Sequence, residues 1–257
     1  MAGGAVQSVQ RAVAVVEALT AAGGQASLSE LVAETGLPLT TVHRLLATLG
    51  EHGLVRQTQN RLYALGPRFL SYGEVVRQTL STWAHPVLRA LTEQTSETAN
   101  LAILSNDRVI YLAQSPSPYT MRTFTEVGRQ VDPHCTGVGK ALMSALPDDE
   151  VRAIVEHAGM EPRTSQTITT VAGLLEEMAA IRSRGYAIDD GEQEVGVRCI
   201  AVAVPTKSVR LAVSISGPSA RVTTERVPQL APVVLDAADR LALIVDGREA
   251  GGAVAAP

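Results

Sequence analysis

The first 55 residues carry apolar positions at helical spacing, interrupted by short polar breaks. Val9, Ala12, Val13, Val16 and Leu19 recur every three or four residues, which predicts an amphipathic helix with one apolar face. The same spacing returns twice before residue 53, so two further short helices are expected to pack against the first.

Capping signals mark where these two helices begin and end. Ser27 and Glu30 have the spacing of a capping box, in which each side chain accepts a hydrogen bond from the other residue's backbone N–H. Gly36 suits the left-handed residue that ends a helix, and Pro38 suits the first turn of the next one. That helix is expected to run to about His52. Two helices joined by so tight a turn predict a helix-turn-helix.

The second of these helices is amphipathic. Its apolar stripe consists of Val42, Leu45, Leu46 and Leu49, and its opposite side carries Thr40, His43, Arg44, Ala47 and Glu51. The segment 56–63 then has the character of a short hairpin that turns at Asn60. A hairpin directly after a helix-turn-helix occupies the position of a wing.

The rest of the chain predicts a linker helix over Gly66–Leu91, followed by an α+β domain in which strands and helices alternate. The expected strands are Ala99–Leu104, Val109–Gln114, Met121–Val127, Tyr186–Ile188, Cys199–Val204 and Leu211–Ser216, and the expected helices are Gly137–Leu146, Asp148–Glu156, Val171–Arg184 and Thr223–Val245. We therefore expect a DNA-binding domain over 1–66, a linker over 67–82, a second domain over 83–246 and a disordered tail over 247–257.

Composition limits the classes of protein that the chain can belong to. Its 257 residues are 46% hydrophobic, which is enough for two cores, and no apolar run is long enough to cross a membrane. The start lacks the layout of a signal peptide, so a cytoplasmic protein is expected, in which Cys135 and Cys199 are free thiols. No metal-ligand spacing is present, and we expect neither a metal nor a cofactor. The net charge of −4 is unevenly distributed along the chain. Residues 1–80 hold six arginines and five glutamates, a net charge of +1, so the remaining residues carry −5.

Seven motifs in order resemble the IclR family of bacterial transcriptional regulators. They are SVQRAVAVVEAL at 8–19, SLSELVAETGLPLTTVHRLLATLGEHGLV at 27–55, YALGPRFL at 63–70, HCTGVGKALMSAL at 134–146, TITT at 167–170, GYAIDDGEQEVGVRCIAVAV at 185–204 and SISGP at 214–218. The resemblance implies a winged helix-turn-helix, a linker helix and a GAF-like effector-binding domain. It also implies homodimers that pair into tetramers, and double-stranded operator DNA as a partner.

The candidate DNA-binding residues are Thr40, Thr41, His43 and Arg44 on the second helix of the motif, with Arg61 in the wing. Short hydroxyls and an arginine fork near a helix N-terminus suit base edges and phosphates in the major groove. Arg61 suits a DNA backbone or minor-groove contact. The alternative is an ordinary solvated helix face, on which Arg44 pairs with Glu51 or Glu30.

The family resemblance maps six residues onto positions that contact a small carboxylate: Gly137, Val138, Asp189, Cys199, Ser214 and Ser216. A glycine-rich helix start offers free backbone N–H groups to an anion. The alternative is structural, with glycines that permit close packing, an apolar cysteine and hydrogen-bonded core serines. The chain departs from the family pattern at Pro205, which follows Cys199 later than usual, and in a short turn at 206–208.

The function expected is therefore that of a repressor that binds a palindromic promoter site, with an affinity set by a small organic acid. One alternative is an activator of a catabolic operon. The other is an enzyme with Cys135 or Cys199 as its nucleophile, which would need a base beside the thiol. His134 adjoins Cys135 in sequence, but no separate histidine motif supplies that base.

Overall fold

A computed structural model describes residues 6–123, 125–206 and 209–247. Within it the chain divides into two compact units, Met1–Val76 and Arg77–Pro257. Of the tail expected over 247–257, residues 248–257 lie outside the described residues. No described helix is both long enough and apolar enough to cross a membrane.

The first unit contains three helices and a small antiparallel sheet. Its elements are α1 (Gln7–Ala21), β1 (Gln25–Ala26), α2 (Leu28–Thr35), α3 (Leu39–Glu51), β2 (Val55–Gln57) and β3 (Tyr63–Leu65). The sheet order is β1-β3-β2, so the predicted hairpin is present and gains a third strand that the sequence pattern did not indicate. Helices α2 and α3 followed by this hairpin form a winged helix-turn-helix.

The capping signals of the first unit are confirmed. The Ser27 hydroxyl accepts the Glu30 N–H at 3.3 Å, and the Glu30 carboxylate accepts the Ser27 N–H at 2.7 Å. Gly36 ends α2 with a φ of 64°, a left-handed conformation that glycine adopts without steric cost. Apolar residues from all three helices and from β2 form the core, including Val15, Leu19, Leu31, Val42, Leu46 and Val55.

Helix α4 (Arg68–Thr95) is the longest element, and the division between the two units falls inside it. It continues four residues beyond the end that the pattern predicted at Leu91. Pro86 lies within the helix, where it removes one backbone hydrogen bond without ending the element. The limits given above for the linker and for the second domain stay a prediction.

The second unit is built around one six-stranded antiparallel sheet. After α4, its elements are β4 (Thr98–Ser105), β5 (Arg108–Ser115), β6 (Gln130–Val131), α5 (Gly137–Ser144), α6 (Asp148–Ala158), α7 (Val171–Arg184), β7 (Ala187–Asp190), β8 (Val197–Ala203), β9 (Leu211–Pro218), a 3-10 turn (Thr224–Arg226) and α8 (Val227–Val245). The strand order is β6-β5-β4-β9-β8-β7. The central pairing joins β4 to β9, more than 100 positions apart in the sequence.

Each face of this sheet supports its own core. One core, with Leu101, Ile200 and Val213 from the strands, also contains residues of α8 and of the second half of α4. The other contains residues of α5, α6 and α7, and the strands contribute small side chains there: Ala102, Cys199, Ala201 and Ala212. The alternation of large and small residues along the strands therefore brings α5 close to the backbone of the sheet.

The strand predicted over Met121–Val127 is wrong. Described residues of this segment form no ladder, and the edge of β5 is instead paired by Gln130–Val131. The β-branched composition favours an extended chain, but the side chains of Met121 and Val127 are 73% and 59% exposed. These two apolar side chains therefore do not hold the segment against the sheet.

Candidate functional site

The outward face of α3 is polar and accessible. Val42 and Leu46 are buried in the first core, whereas Thr40, His43 and Arg44 are exposed on the other side. Thr41 lies at the flank and is half-buried. The helix therefore presents one imidazole, one guanidinium and a hydroxyl on a single face.

Arg44 does not make the structural ion pair that the sequence left open. Within the described residues, no carboxylate lies in salt-bridge range of it, so neither Glu51 nor Glu30 neutralises it. The Arg44 side chain borders an apolar groove of about 590 Å³ in the first unit. Its guanidinium is consequently available to an external anion.

The wing places a second arginine at an exposed turn. Arg61 has a φ of 60°, and its N–H donates to the Thr58 carbonyl at 3.0 Å, which closes the turn between β2 and β3. Arg56, on β2, was not singled out from the sequence. It is exposed and lines a depression together with His43. This depression extends from the face of α3 to the wing. The position of Arg56 directly after the apolar Val55, at the start of the expected hairpin, was the sequence feature that could have identified it as a candidate.

A polar cavity of about 70 Å³ lies at one end of the sheet in the second unit. It is lined by Tyr111, Thr123, Thr125, Arg129, Val131, Thr136, Gly137, Asp189, Gln193, Glu194, Val197, Cys199 and Ser216. The Thr123 hydroxyl is buried and has no hydrogen-bond partner in the described part of the chain. A volume of this size suits a molecule of a few heavy atoms.

Four of the six predicted effector residues line this cavity: Gly137, Asp189, Cys199 and Ser216. The strand register explains the grouping, because Cys199 pairs with Ser216 on β9 and with Asp189 on β7. Pro205 departs from the family pattern, but Ser216 nevertheless lies opposite Cys199.

The side chains of Val138 and Ser214 do not line the cavity. Both residues are fully buried, Val138 in the core between α5 and the sheet and Ser214 opposite Ala201, farther along the strands. Ser214 has no hydrogen-bond partner for its hydroxyl within the described residues.

The start of α5 leaves backbone donors free. Thr136 caps the helix by accepting the Gly139 N–H at 3.2 Å, and the first helical bond joins the Lys140 N–H to the Thr136 carbonyl. The N–H groups of Gly137 and Val138 make no hydrogen bond within the described residues. Such donors at a helix N-terminus favour an anion.

Gly137 also has a packing role. A Cβ at this position would lie 2.7 Å from the Cys199 Sγ atom, and a Cβ on Gly139 would lie 2.3 Å from the Pro133 carbonyl oxygen. The close-packing alternative for these glycines therefore holds, and for Gly137 it coexists with a place in the cavity wall.

Burial dominates the electrostatics of the cavity. It raises the pKa of Asp189 to about 6, although Oδ1 of this carboxylate accepts the N–H groups of Glu192 and Gln193 at 2.8 and 3.3 Å. Burial also raises the pKa of the Tyr111 hydroxyl above its usual range. A carboxyl group with a raised pKa thus lies in the wall, on the strand next to that of Cys199.

A buried ion cluster lies behind this wall. The Lys140 ammonium, 1% exposed, contacts the carboxylate of Glu192 and lies 3.4 Å from that of Glu177. Arg184 in turn donates to Glu177 at 2.7 Å. Because Glu192 belongs to the turn whose backbone holds Asp189, this cluster ties the cavity wall to α5 and α7.

Neither thiol has the surroundings of a nucleophile. Burial raises the pKa of both Cys135 and Cys199 to about 12, and the Cys135 thiol donates to the Gln193 side-chain oxygen at 2.9 Å. His134 bonds the Glu161 carbonyl at 3.1 Å instead of a thiol, and burial lowers its pKa. Nor do three or more His, Cys, Asp or Glu side chains of the described residues group as metal ligands.

A winged helix-turn-helix joined to a mixed α/β domain defines a class of DNA-binding transcription regulators. Two family models match the chain, the IclR helix-turn-helix domain over residues 8–59 and the bacterial transcriptional regulator IclR C-terminal domain over 73–243. The chain belongs to the IclR family of bacterial transcriptional regulators.

Individual relatives agree with this assignment. The transcriptional repressor IclR of Escherichia coli K12 is 34% identical over 251 residues, 95% of this chain and 92% of that protein. The HTH-type transcriptional regulator BhcR of Paracoccus denitrificans is 32% identical, covering 97% and 91% of the two chains. The crystal structure of a putative IclR regulator from Silicibacter sp. TM1040 superposes with a TM-score of 0.81 at 28% identity, covering 96% and 98%. The chain is therefore a DNA-binding transcriptional regulator and not an enzyme.

Buried thiols with a raised pKa are expected to be inert. At pH 8 in the native protein, neither Cys135 nor Cys199 should react with a thiol-specific disulfide reagent within minutes, because attack requires an accessible thiolate. Both should react after denaturation. A Val195→Cys variant provides the control, since Val195 is 79% exposed and a cysteine there should react at once. Rapid reaction of a native thiol would contradict the assignment.

Proposed function

We propose that this regulator represses transcription from a roughly palindromic operator and that a small carboxylic acid bound in the cavity changes its affinity for the operator. The uncapped N–H groups of Gly137 and Val138, next to the wall formed by Asp189, Cys199 and Ser216, are the observation that carries the effector part. The similarity to a named repressor supports the sign of regulation. A regulator that binds bacterial chromosomal DNA acts in the cytoplasm.

The DNA interface is assigned to the exposed face of α3 and to the wing. Thr40, Thr41, His43 and Arg44 contact bases and phosphates of the major groove, and Arg61 contacts the backbone or the minor groove. The unpaired state of Arg44 supports a direct contact, because a guanidinium that is not neutralised internally can bond a guanine or a phosphate through two donors.

Arg44→Ala is expected to weaken binding to a site selected from random DNA by about 1–3 kcal/mol, with little loss on unselected DNA. The measurement is an electrophoretic shift on both DNAs at one salt concentration. Arg89→Ala, which removes an equal charge from an exposed position on α4, should leave both affinities unchanged. An equal loss on both DNAs would show that Arg44 contacts only phosphates.

The apolar groove of the first unit supports the proposed homodimer. It is lined by Ser8, Val9, Ala12, Val13, Val16, Arg44, Leu45, Thr48, Leu49, Leu54, Phe69 and Tyr72. Val9 and Val13 are 59% and 47% exposed, an arrangement that a soluble surface seldom leaves uncovered. A second copy of this surface would cover it through a two-fold axis, which also matches a palindromic operator. Two such dimers would form the tetramer that the family implies.

Val13→Asp should dissociate the dimer. Burial of a carboxylate in a largely apolar interface costs several kcal/mol, so we expect the association to weaken by at least about 2 kcal/mol. Sedimentation equilibrium measures this directly. Gln10→Asp adds the same charge to α1 outside the groove and should have no effect. A Val13→Asp protein that associates like the wild type would show that this groove is not the interface.

The effector is placed with its carboxylate at the start of α5, where the N–H groups of Gly137 and Val138 donate to it. Asp189, Cys199 and Ser216 contact the rest of the molecule, and Ser214 supports them from the core. Effector binding is transmitted to the operator through α4, which provides the covalent route between the two units. The coupling must be reciprocal, so operator DNA changes the effector affinity by the same factor.

Effector binding should depend on pH. A bound carboxylate would raise the pKa of Asp189 above its value of about 6, because two negative charges in one small cavity repel each other. Binding therefore takes up a proton, and the affinity for an acid such as glyoxylate should fall by up to about tenfold per unit as the pH rises above that value. Calorimetric titration at pH 6, 7 and 8 measures this.

Asp189→Asn is the matched variant for that measurement, because it keeps the shape of the side chain and removes the titrating proton. Its effector affinity should vary little between pH 6 and 8. An undiminished pH dependence in this variant would assign the proton to another group. Absence of heat for any small carboxylic acid, at any pH, would remove the effector proposal.

A further inference from the structure

An arginine-rich depression of about 410 Å³ adjoins the effector cavity. It is lined by Arg108, Arg129, Gln130, Val131, Asp132, Arg163 and Gln193. Three of these residues, Arg129, Val131 and Gln193, also line the cavity, so the two spaces share one wall. The charged side chains around the depression are three guanidinium groups and a single carboxylate.

The carboxylate of Asp132 is already saturated. It is 6% exposed, and one oxygen accepts from Arg108 while the other accepts from Arg163, whose Nε lies at 2.8 Å. Arg108 is held further by the Ala158 carbonyl at 3.2 Å and lies 3.9 Å from Asp107. Asp132 therefore neutralises one cation and holds Arg163 in place, with Nη1 of Arg163 outside these bonds.

Arg129 has no such partner. Among the described residues, its guanidinium makes no hydrogen bond and no ion pair. Its backbone is nevertheless fixed, because its carbonyl accepts the Tyr111 N–H at 3.2 Å and its N–H donates to the Glu126 backbone carbonyl at 3.1 Å. Gly128, with a φ of 88°, makes this turn possible. A fixed backbone with a free cation presents positive charge at the boundary between cavity and depression.

We propose that Arg129 and Arg163 form a subsite for a second carboxylate of the effector, so that the regulator responds to a dicarboxylic acid. This inference rests on the proposed function, in which the first carboxylate lies at the start of α5. The second carboxylate emerges from the cavity into the depression, where the two guanidinium groups bind it through charge-assisted hydrogen bonds. Glu194 lines the cavity but not the depression, so it leaves the subsite positive.

The test uses pairs of probes that differ by one charge. Oxalate, malonate and succinate are each compared with their monoamides, oxamate, malonamate and succinamate, which have the same number of heavy atoms. Calorimetric titration of the full-length protein at constant ionic strength measures each dissociation constant. For at least one pair, the wild type should bind the dicarboxylate at least about tenfold more tightly than its monoamide.

Arg129→Gln is the informative variant, since it breaks no contact within the described residues. It should reduce that preference to about one. Arg152→Gln removes the same charge from an exposed position of α6 that lines neither space, and it should retain the preference.

The outcomes separate this inference from the function on which it rests. If monoamides bind and change operator affinity while dicarboxylates have no advantage, the subsite is wrong and the effector function stands. A preference that persists in Arg129→Gln also overturns the subsite. If the wild type binds neither dicarboxylates nor any monocarboxylic acid, both proposals are overturned together.

Discussion

The close approach of α5 to the sheet is the constraint on which the second unit depends. Gly137 lies so near β8 that a single added carbon would collide with the Cys199 sulfur. The strands beneath the helix accordingly carry alanines and a cysteine, where the opposite face carries leucine, isoleucine and valine. Because the helix begins above the line of Asp189, Cys199 and Ser216, Gly137 and these strand residues line one small space. The glycine that permits this close packing therefore also lines the cavity.

Features that depend on neighbours in sequence were predictable. The capping box of Ser27 and Glu30, the left-handed Gly36 and the apolar stripe of α3 all arise from residues within four positions of one another, and the structure has each of them. The helix over Val171–Arg184 has the predicted bounds, since Thr170 caps its start and Gly185 its end. Family motifs then named residues of the cavity wall that no periodicity could have identified.

Features that depend on distant pairing were not predictable from the pattern. The strand β1 exists only because β3 lies beside it, and β6 because Val109 and Ile110 offer an edge. The residues of Met121–Val127 have strand-like composition but no partner, so a correct local tendency produced a wrong element. The outer wall of the cavity comes from this same region and from the turn after β7, which explains why Thr123, Thr125, Arg129 and Gln193 were missed.

The charged side chains around the cavity differ in how many hydrogen-bond and ion-pair partners the protein itself supplies to them. The inner wall is held by the contacts of Lys140 with Glu192 and Glu177, and loss of these contacts would leave a buried charge without its partner. Asp132 is likewise balanced by two arginines. Arg129, at the rim, has a fixed backbone and an unsatisfied side chain. A ligand gains most where the protein has not already formed the bond, because a saturated group must first lose an existing partner. In the proposed function, selectivity for the charge of the effector would therefore depend on the rim, with the inner wall as a rigid surface beside it.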